Sequence, residues 1–134
     1  KEFIFNFDQD ANPKKITKSI EIVYGLRNFI GNANKFSKNK IYIFLISEVK
    51  SSIIIIRDDG PGFPKDLIDK QKLGEPYIRT NNQENISKYG LGLGTFIGKT
   101  LLEKNFANIT FKNSLDEKGA EIKIKWLNKD LKKI

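Results

Sequence analysis

The chain has 134 residues, of which 39% are hydrophobic and 30% are charged, and this size and balance predict one compact domain over residues 1–134. It contains no cysteine and no histidine, so disulfides, thiolate zinc sites and the commonest general base are excluded within it. The net charge of +8 would suit a nucleic acid, but the lysines are scattered along the chain and form no basic block. We therefore predict no nucleic-acid partner.

The first half of the chain predicts a strand, a turn, a helix and a hairpin. Alternating phenylalanines indicate the opening strand, and a helical period follows it, with Thr17 or Ser19 as the N-cap. The second hairpin strand is continuously apolar, as is typical of the centre of a sheet. The predicted elements are a strand over Lys1–Phe7, a turn over Asp8–Pro13, a helix from Ile16 to about Ser37, and strands over Ile41–Ile46 and Ser52–Arg57.

The second half begins with a polar segment, Lys65–Tyr89, that proline and glycine interrupt and that offers only a short helix near its start. Long irregular segments in compact domains are often lids, so we predict a lid over about residues 64–94. A helix over Phe96–Lys104 and strands over Ile109–Lys112 and Glu121–Trp126 follow, and Leu127–Ile134 is expected to fray. No apolar run is long enough to span a membrane, so we expect a soluble segment without membrane contact.

One face of the first predicted helix is polar. Glu21, Asn32 and Lys35 fall within about 40° of Asn28 on a helical wheel. An ordinary solvated face is one interpretation. However, asparagine is unfavourable inside a helix, and the glycines at positions 25 and 31 each cost about 1 kcal/mol relative to alanine, so the choice of residues favours a binding site. Amide oxygens four residues apart can hold Mg²⁺, which takes its remaining ligands from water and phosphates.

The central strand runs directly into Asp58-Asp59-Gly60-Pro61-Gly62-Phe63. A sharp turn is one interpretation of this composition. The other is a carboxylate at the end of a buried strand that accepts a hydrogen bond from an exocyclic amine, with glycines that let a flat ring lie against the backbone. Adenine would suit this arrangement, whereas the acidic spacing of an EF-hand calcium loop is absent.

A glycine run, Tyr89-Gly90-Leu91-Gly92-Leu93-Gly94-Thr95, precedes the second helix. It is either a bend or a phosphate cradle at a helix N-terminus. A P-loop would need glycine at Leu93, and a dinucleotide fingerprint would need glycine at Thr95, so neither motif is present. A phosphate bound here would be held by a motif other than these two.

The order of these motifs resembles the ATP-binding catalytic domain of sensor histidine kinases, in the GHKL superfamily with gyrase, Hsp90 and MutL. Asn28–Ser37 is similar to the N box, Asp58–Gly62 to the G1 box and Gly90–Gly94 to the G2 box. Three further stretches are similar to the RegB/PrrB group of redox-responsive kinases: Glu21–Leu26, Gly74–Tyr77 and Phe96–Glu103. Tyr24 departs from the histidine common in that group, and the group's redox cysteine is not in this segment, so redox sensing is not predicted.

The resemblance implies a Bergerat-type α/β two-layer sandwich, a mixed sheet with helices on one face. It implies that Asp58 binds the adenine amine, that Asn32 and Asn28 hold Mg²⁺, and that Lys35 and the glycine run hold the phosphates of ATP. The implied ATP-binding residues are Asn28, Asn32, Lys35, Phe36, Asp58, Gly60, Gly62, Arg79, Thr80, Gly90, Leu91, Gly92, Leu93, Gly94 and Thr95.

The same resemblance implies transfer of the γ-phosphoryl group of Mg-ATP to a histidine on a separate dimerisation domain, in a two-component system with a downstream response regulator. With no histidine here, no catalytic residue is assigned within the chain, which is expected to be the cytoplasmic part of a longer, homodimeric, membrane-anchored sensor. In the superfamily's hydrolases, a glutamate acts as the general base at the position where this chain has Asn28. An amide cannot accept a proton from water, so steady ATP hydrolysis is not expected. A regulatory module that binds nucleotide without phosphotransfer is the alternative.

Overall fold

The computed structural model describes residues 1–7, 19–65, 68, 93–114 and 119–134. The predicted turn over residues 8–13 and most of the predicted lid lie outside the described residues. The described helices and strands are β1 Glu2–Phe7, α1 Ile20–Phe36, β2 Lys40–Ser47, β3 Ser51–Asp58, α2 Leu93–Lys104, β4 Asn108–Asn113, β5 Ala120–Leu127 and α3 Asn128–Leu131.

The described strands form one mixed sheet in the order β1-β2-β3-β5-β4. β1 pairs in parallel with β2, whereas β2–β3, β3–β5 and β5–β4 are antiparallel. The predicted hairpin is β2–β3, and the continuously apolar strand β3 lies in the centre of the sheet. Both predictions are confirmed.

The core lies between one face of this sheet and the two long helices. Ile56, Ile122 and Ile124 point from β3 and β5 towards fully buried Phe29 of α1 and Leu102 of α2. Burial of these large apolar side chains is the main favourable term in the stability of such a layer. The predicted two-layer α/β sandwich with helices on one face is therefore confirmed.

Glycines set the distance between α1 and α2. A Cβ at Gly25 would lie 2.8 Å from Cγ of Leu102, and a Cβ at Gly98 would lie 2.9 Å from Cε1 of Phe29. The two helices therefore approach closely only because both positions lack a side chain. The interpretation of Gly25 as a feature of a binding site is wrong, because helix packing explains it. A Cβ at Gly31, in contrast, would meet nothing within 4 Å.

Three element boundaries differ from the predictions. α1 begins at Ile20, because Ser19 is its N-cap and accepts a 3.0 Å hydrogen bond from the backbone N–H of Ile22. α2 begins at Leu93, three residues before the predicted start. The C-terminal residues do not fray: they form α3, whose Leu131 is 6% exposed and joins the core. Across the described residues, no helix is both long and apolar enough to cross a membrane.

Candidate functional site

A pocket of about 500 Å³, partly open to solvent, lies where the end of β3 meets α1 and the start of β5. Its described walls are mainly apolar, and among the described lining residues two side chains, Asn32 and Asp58, offer polar atoms. Such a lining suits a flat, largely apolar ligand with a polar edge. The lining residues are Asn32, Ala33, Phe36, Ile56, Asp58, Pro61, Gly62, Phe63, Pro64, Ala120 and Ile122.

Asp58 is the buried acidic group of this pocket, with 4% of its surface exposed. Its Oδ1 accepts hydrogen bonds from the backbone N–H of Gly60 at 2.8 Å and of Ala120 at 3.4 Å. Within the described part of the chain, Oδ2 accepts none, so it is available to a ligand. Burial raises the pKa of the Asp58 carboxyl above its usual 3.8, against the two backbone hydrogen bonds, which lower it.

Asp59, the next residue, has a different role. Its carboxylate accepts hydrogen bonds of 2.8–3.1 Å from the consecutive backbone N–H groups of Lys38, Asn39 and Lys40. Burial acts to raise the pKa of Asp59, but these hydrogen bonds outweigh it and hold the pKa below its usual 3.8. Asp59 therefore fastens the connection between α1 and β2 to the end of β3, and so positions its neighbour Asp58.

Three glycines allow the chain segments around Asp58 to meet. A Cβ at Gly60 would lie 2.2 Å from the carbonyl oxygen of Phe36, and a Cβ at Gly119 would lie 1.6 Å from the carbonyl oxygen of Asp58. Gly62 has a φ of 85°, a left-handed conformation that favours glycine. Sequence reasoning missed Gly119 and its neighbour Ala120, although a glycine two residues before a predicted strand was a usable signal.

The second part of the site lies where α1 meets the first turn of α2. Asn32 donates its amide N–H to Oγ1 of buried Thr95 at 3.0 Å, and Asn28 donates to the carbonyl oxygen of Tyr24 at 2.8 Å. Both amide groups lie beside Gly94: a Cβ there would lie 3.4 Å from Oδ1 of Asn28, 3.7 Å from Oδ1 of Asn32 and 3.9 Å from Nδ2 of Asn32. The two oxygens therefore lie near one small space.

This pair of oxygens fits Mg²⁺ better than a metal that needs a full set of protein ligands. Among the described residues, no group of three or more His, Cys, Asp or Glu side chains could hold a metal ion. Neutral amide oxygens are hard ligands, and Mg²⁺ accepts one or two protein ligands when water and phosphate supply the others. The predicted donor set, Asn28 and Asn32, is consistent with such an ion.

The structure brings together part of the predicted residue set. One pocket is lined by Asn32, Phe36, Asp58 and Gly62. Gly60 is not part of the lining but donates its backbone N–H to Asp58. Next to this pocket, Asn28 lies one turn before Asn32 on α1. Gly94 and Thr95, at the start of α2, lie close to these asparagines.

The other predicted residues are not placed in the pocket. Lys35 is exposed, and its Nζ lies 5.5 Å from the centre of the Phe36 ring, outside the pocket lining. Leu93 is the first residue of α2, although it falls within the range of the predicted lid. The remaining predicted contacts, Arg79, Thr80, Gly90, Leu91 and Gly92, lie outside the described residues.

Comparison with known proteins matches residues 17–130 to the family described as histidine kinase-, DNA gyrase B-, and HSP90-like ATPase. The chain is 36% identical over 114 residues to the sensor histidine kinase RegB of Cereibacter sphaeroides, covering 80% of this chain and 24% of RegB. It is 27% identical over 95 residues to the sensor histidine kinase CpxA of Escherichia coli K12, covering 71% of this chain and 19% of CpxA. The chain thus spans a minor part of the relatives that it matches.

Solved structures show the same fold. The catalytic domain of the histidine kinase ThkA superposes with a TM-score of 0.68 at 20% identity, covering 95% of this chain and 79% of that one. Full-length ShkA, solved in complex with AMPPNP, superposes with a TM-score of 0.67 at 20% identity, covering 92% of this chain and 25% of that one. The matches agree with the resemblance predicted from the motifs, including the RegB group.

Proposed function

Because the chain belongs to the family of histidine kinase-, DNA gyrase B-, and HSP90-like ATPases, we propose that it binds Mg-ATP and transfers the γ-phosphoryl group to a histidine on a separate dimerisation domain. The chain would be the single catalytic and ATP-binding domain of a longer sensor histidine kinase, on the cytoplasmic side of the membrane. Its similarity to RegB over a quarter of that protein's length supports a longer parent. The parent would act as a homodimer with a downstream response regulator.

The buried carboxylate of Asp58 is the observation that carries this proposal. Its Oδ1 is occupied by backbone N–H groups, and Asp58 lines an apolar pocket. A carboxylate in this setting selects a ligand that donates a hydrogen bond from a flat ring, as the exocyclic amine of adenine does. Phe36, Ile56 and Ile122 would contact the faces of the ring.

The triphosphate would extend from this pocket past Asn32 towards the start of α2. Asn28 and Asn32 would hold Mg²⁺, which when bound neutralises part of the phosphate charge. The first turn of α2 begins beside these oxygens, and a helix N-terminus favours an anion. Lys35 and the predicted lid over about residues 64–94, with Arg79, Thr80 and the glycine run, would complete the phosphate contacts.

Phosphotransfer is favoured over hydrolysis by the chemistry of Asn28. Its amide nitrogen is committed to the carbonyl oxygen of Tyr24, and an amide cannot remove a proton from water. Transfer to a nucleophile supplied by another domain needs mainly positioning and charge neutralisation. The residues of this chain provide both, and the acceptor histidine provides the nucleophile.

The test is to mix the chain with the dimerisation domain of its parent and radiolabelled ATP, with and without Mg²⁺. We expect acid-labile, alkali-stable label on the dimerisation domain, formed only with Mg²⁺. A partner whose acceptor histidine is replaced by glutamine serves as the control and should remain unlabelled. Tight nucleotide binding without label would favour the regulatory module, and steady phosphate release from the chain alone would favour a hydrolase.

A further inference from the structure

The solvent face of α1 carries a narrow stripe of residues whose side chains make no hydrogen bond or ion pair with other residues that the structure describes. Every exposed residue of α1 lies on it, and the four from Ile20 to Gly31 follow the spacing four, three, four. That spacing is the seam of two packed helices and places these residues within an arc of about 60°. This α1 stripe consists of Ile20, Tyr24, Arg27, Gly31, Asn34 and Lys35.

The chemistry of the stripe differs from that of an ordinary solvated face. Ile20 is 82% exposed and Tyr24 is 57% exposed, although both are large and partly or wholly apolar. Gly31 is unfavourable in a helix interior, yet nothing in the described fold needs it, because a Cβ there would meet no atom within 4 Å. An apolar pair followed by a bare glycine about two turns after Tyr24 allows another helix to pack closely against α1.

The stripe leads directly to the metal-binding end of the site. Tyr24, Arg27 and Asn28 line one open concavity of about 420 Å³, and the amide oxygen of Asn28 lies beside Gly94 together with that of Asn32. A helix packed on the stripe would therefore pass beside Asn28. Group transfer requires the acceptor atom to reach the reacting phosphorus at contact distance, so an acceptor helix has a reason to lie here.

We propose that the α1 stripe docks the helix that carries the acceptor histidine, an inference that rests on the proposed function. The stripe has two cations, Arg27 and Lys35, and no acidic residue, so the docked helix presents apolar residues to Ile20 and Tyr24 and acidic residues to the cations. A second copy of this chain fits poorly, because two-fold pairing of the stripe with itself would bring Arg27 against Arg27.

The test uses the full-length parent kinase, with the photoreactive residue p-benzoyl-L-phenylalanine in place of Tyr24. We expect light-induced crosslinks to the histidine-bearing helix. The matched control places the same residue at Val49, which is 95% exposed on the β2–β3 turn and should give no such crosslink. Gly31→Leu should lower the crosslink yield from position 24 without lowering the melting temperature, since the fold leaves space for the side chain.

The double variant Ile20→Ala/Tyr24→Ala should slow phosphohistidine formation at saturating ATP by about tenfold, with ATP affinity changed by less than about twofold. Val49→Ala should change neither. The docking proposal is overturned if position 24 crosslinks to a second catalytic domain or to nothing, if Gly31→Leu leaves the yield unchanged, or if the double variant reacts at the parent rate. A parent that crosslinks as expected but forms no phosphohistidine would overturn the proposed function and leave the docking surface standing.

Discussion

Replacing Asp58 by asparagine separates ligand binding from stability. The substitution keeps the shape of the side chain and an oxygen for the N–H of Gly60, but it removes the charge that would accept the adenine amine. A hydrogen bond to a charged group contributes about 1.5–3 kcal/mol, which corresponds to about 10–100-fold weaker ATP binding. Isothermal titration of the purified chain with Mg-ATP measures this loss directly.

Although Asp58→Asn weakens ATP binding, it should leave the free energy of unfolding unchanged or raise it. Burial raises the folded-state pKa of Asp58 above its unfolded value of 3.8, so the folded state holds the proton more tightly, and ionisation at neutral pH costs stability. Asp58→Asn removes that cost. We expect urea unfolding at pH 7 to give an equal or higher midpoint. The ATP affinity of the unsubstituted chain should also decline as pH falls through the raised pKa of Asp58. The Asp58→Asn variant should show no such decline.

Asp59→Asn is the matched control, because it makes the same chemical change one residue later. Its carboxylate accepts three backbone N–H groups, and an amide nitrogen would oppose at least one of them. We expect a loss of about 1–2 kcal/mol, discounted for solvent contact, or about 3–6 °C in melting temperature. ATP affinity below that temperature should change less than in Asp58→Asn. If Asp59→Asn weakened ATP more than Asp58→Asn did, the assignment of the adenine contact to Asp58 would be refuted.

Three further predictions concern the metal site, the helix interface and the sheet. Asn32→Ala should abolish the enhancement of nucleotide binding by Mg²⁺, and an unchanged ratio of affinities with and without Mg²⁺ would contradict the metal role. Gly98→Ala should lower the free energy of unfolding in urea by about 1–2 kcal/mol, because its methyl group would press on the buried Phe29 ring; an unchanged or raised value would contradict this close packing. Although burial opposes the shift, hydrogen bonds from Arg57 and a lysine hold the pKa of Glu121 below its usual 4.5. Its contribution to stability is therefore present above about pH 4.5 and lost as pH falls through the folded pKa, so Glu121→Gln should flatten the acid side of the stability curve, measured by urea unfolding from pH 7 to pH 3.

Local periodicity was enough to predict the five strands and the two long helices, whereas the fold class followed from the resemblance of the motifs to a known family. An apolar run without alternation is typical of the centre of a sheet, and β3 lies between β2 and β5. Asparagines four residues apart must share a helix face, and the structure places Asn28 and Asn32 on the same side of α1, with their oxygens near Gly94. The ends of the elements were less predictable: Leu131, for example, packs in the core through tertiary contacts that local periodicity does not show.

By itself, the amino-acid sequence determined which residues share a face, the approximate positions of the five strands and two long helices, and that an acidic turn follows the central strand. It did not distinguish Gly25, which packs against Leu102, from Gly31, which packs against nothing in the described fold. It also did not show that Asp59 binds the backbone at residues 38–40. Only the tertiary structure decided these roles, because each depends on a neighbour that is distant in sequence and is brought close by the packing of helices on the sheet.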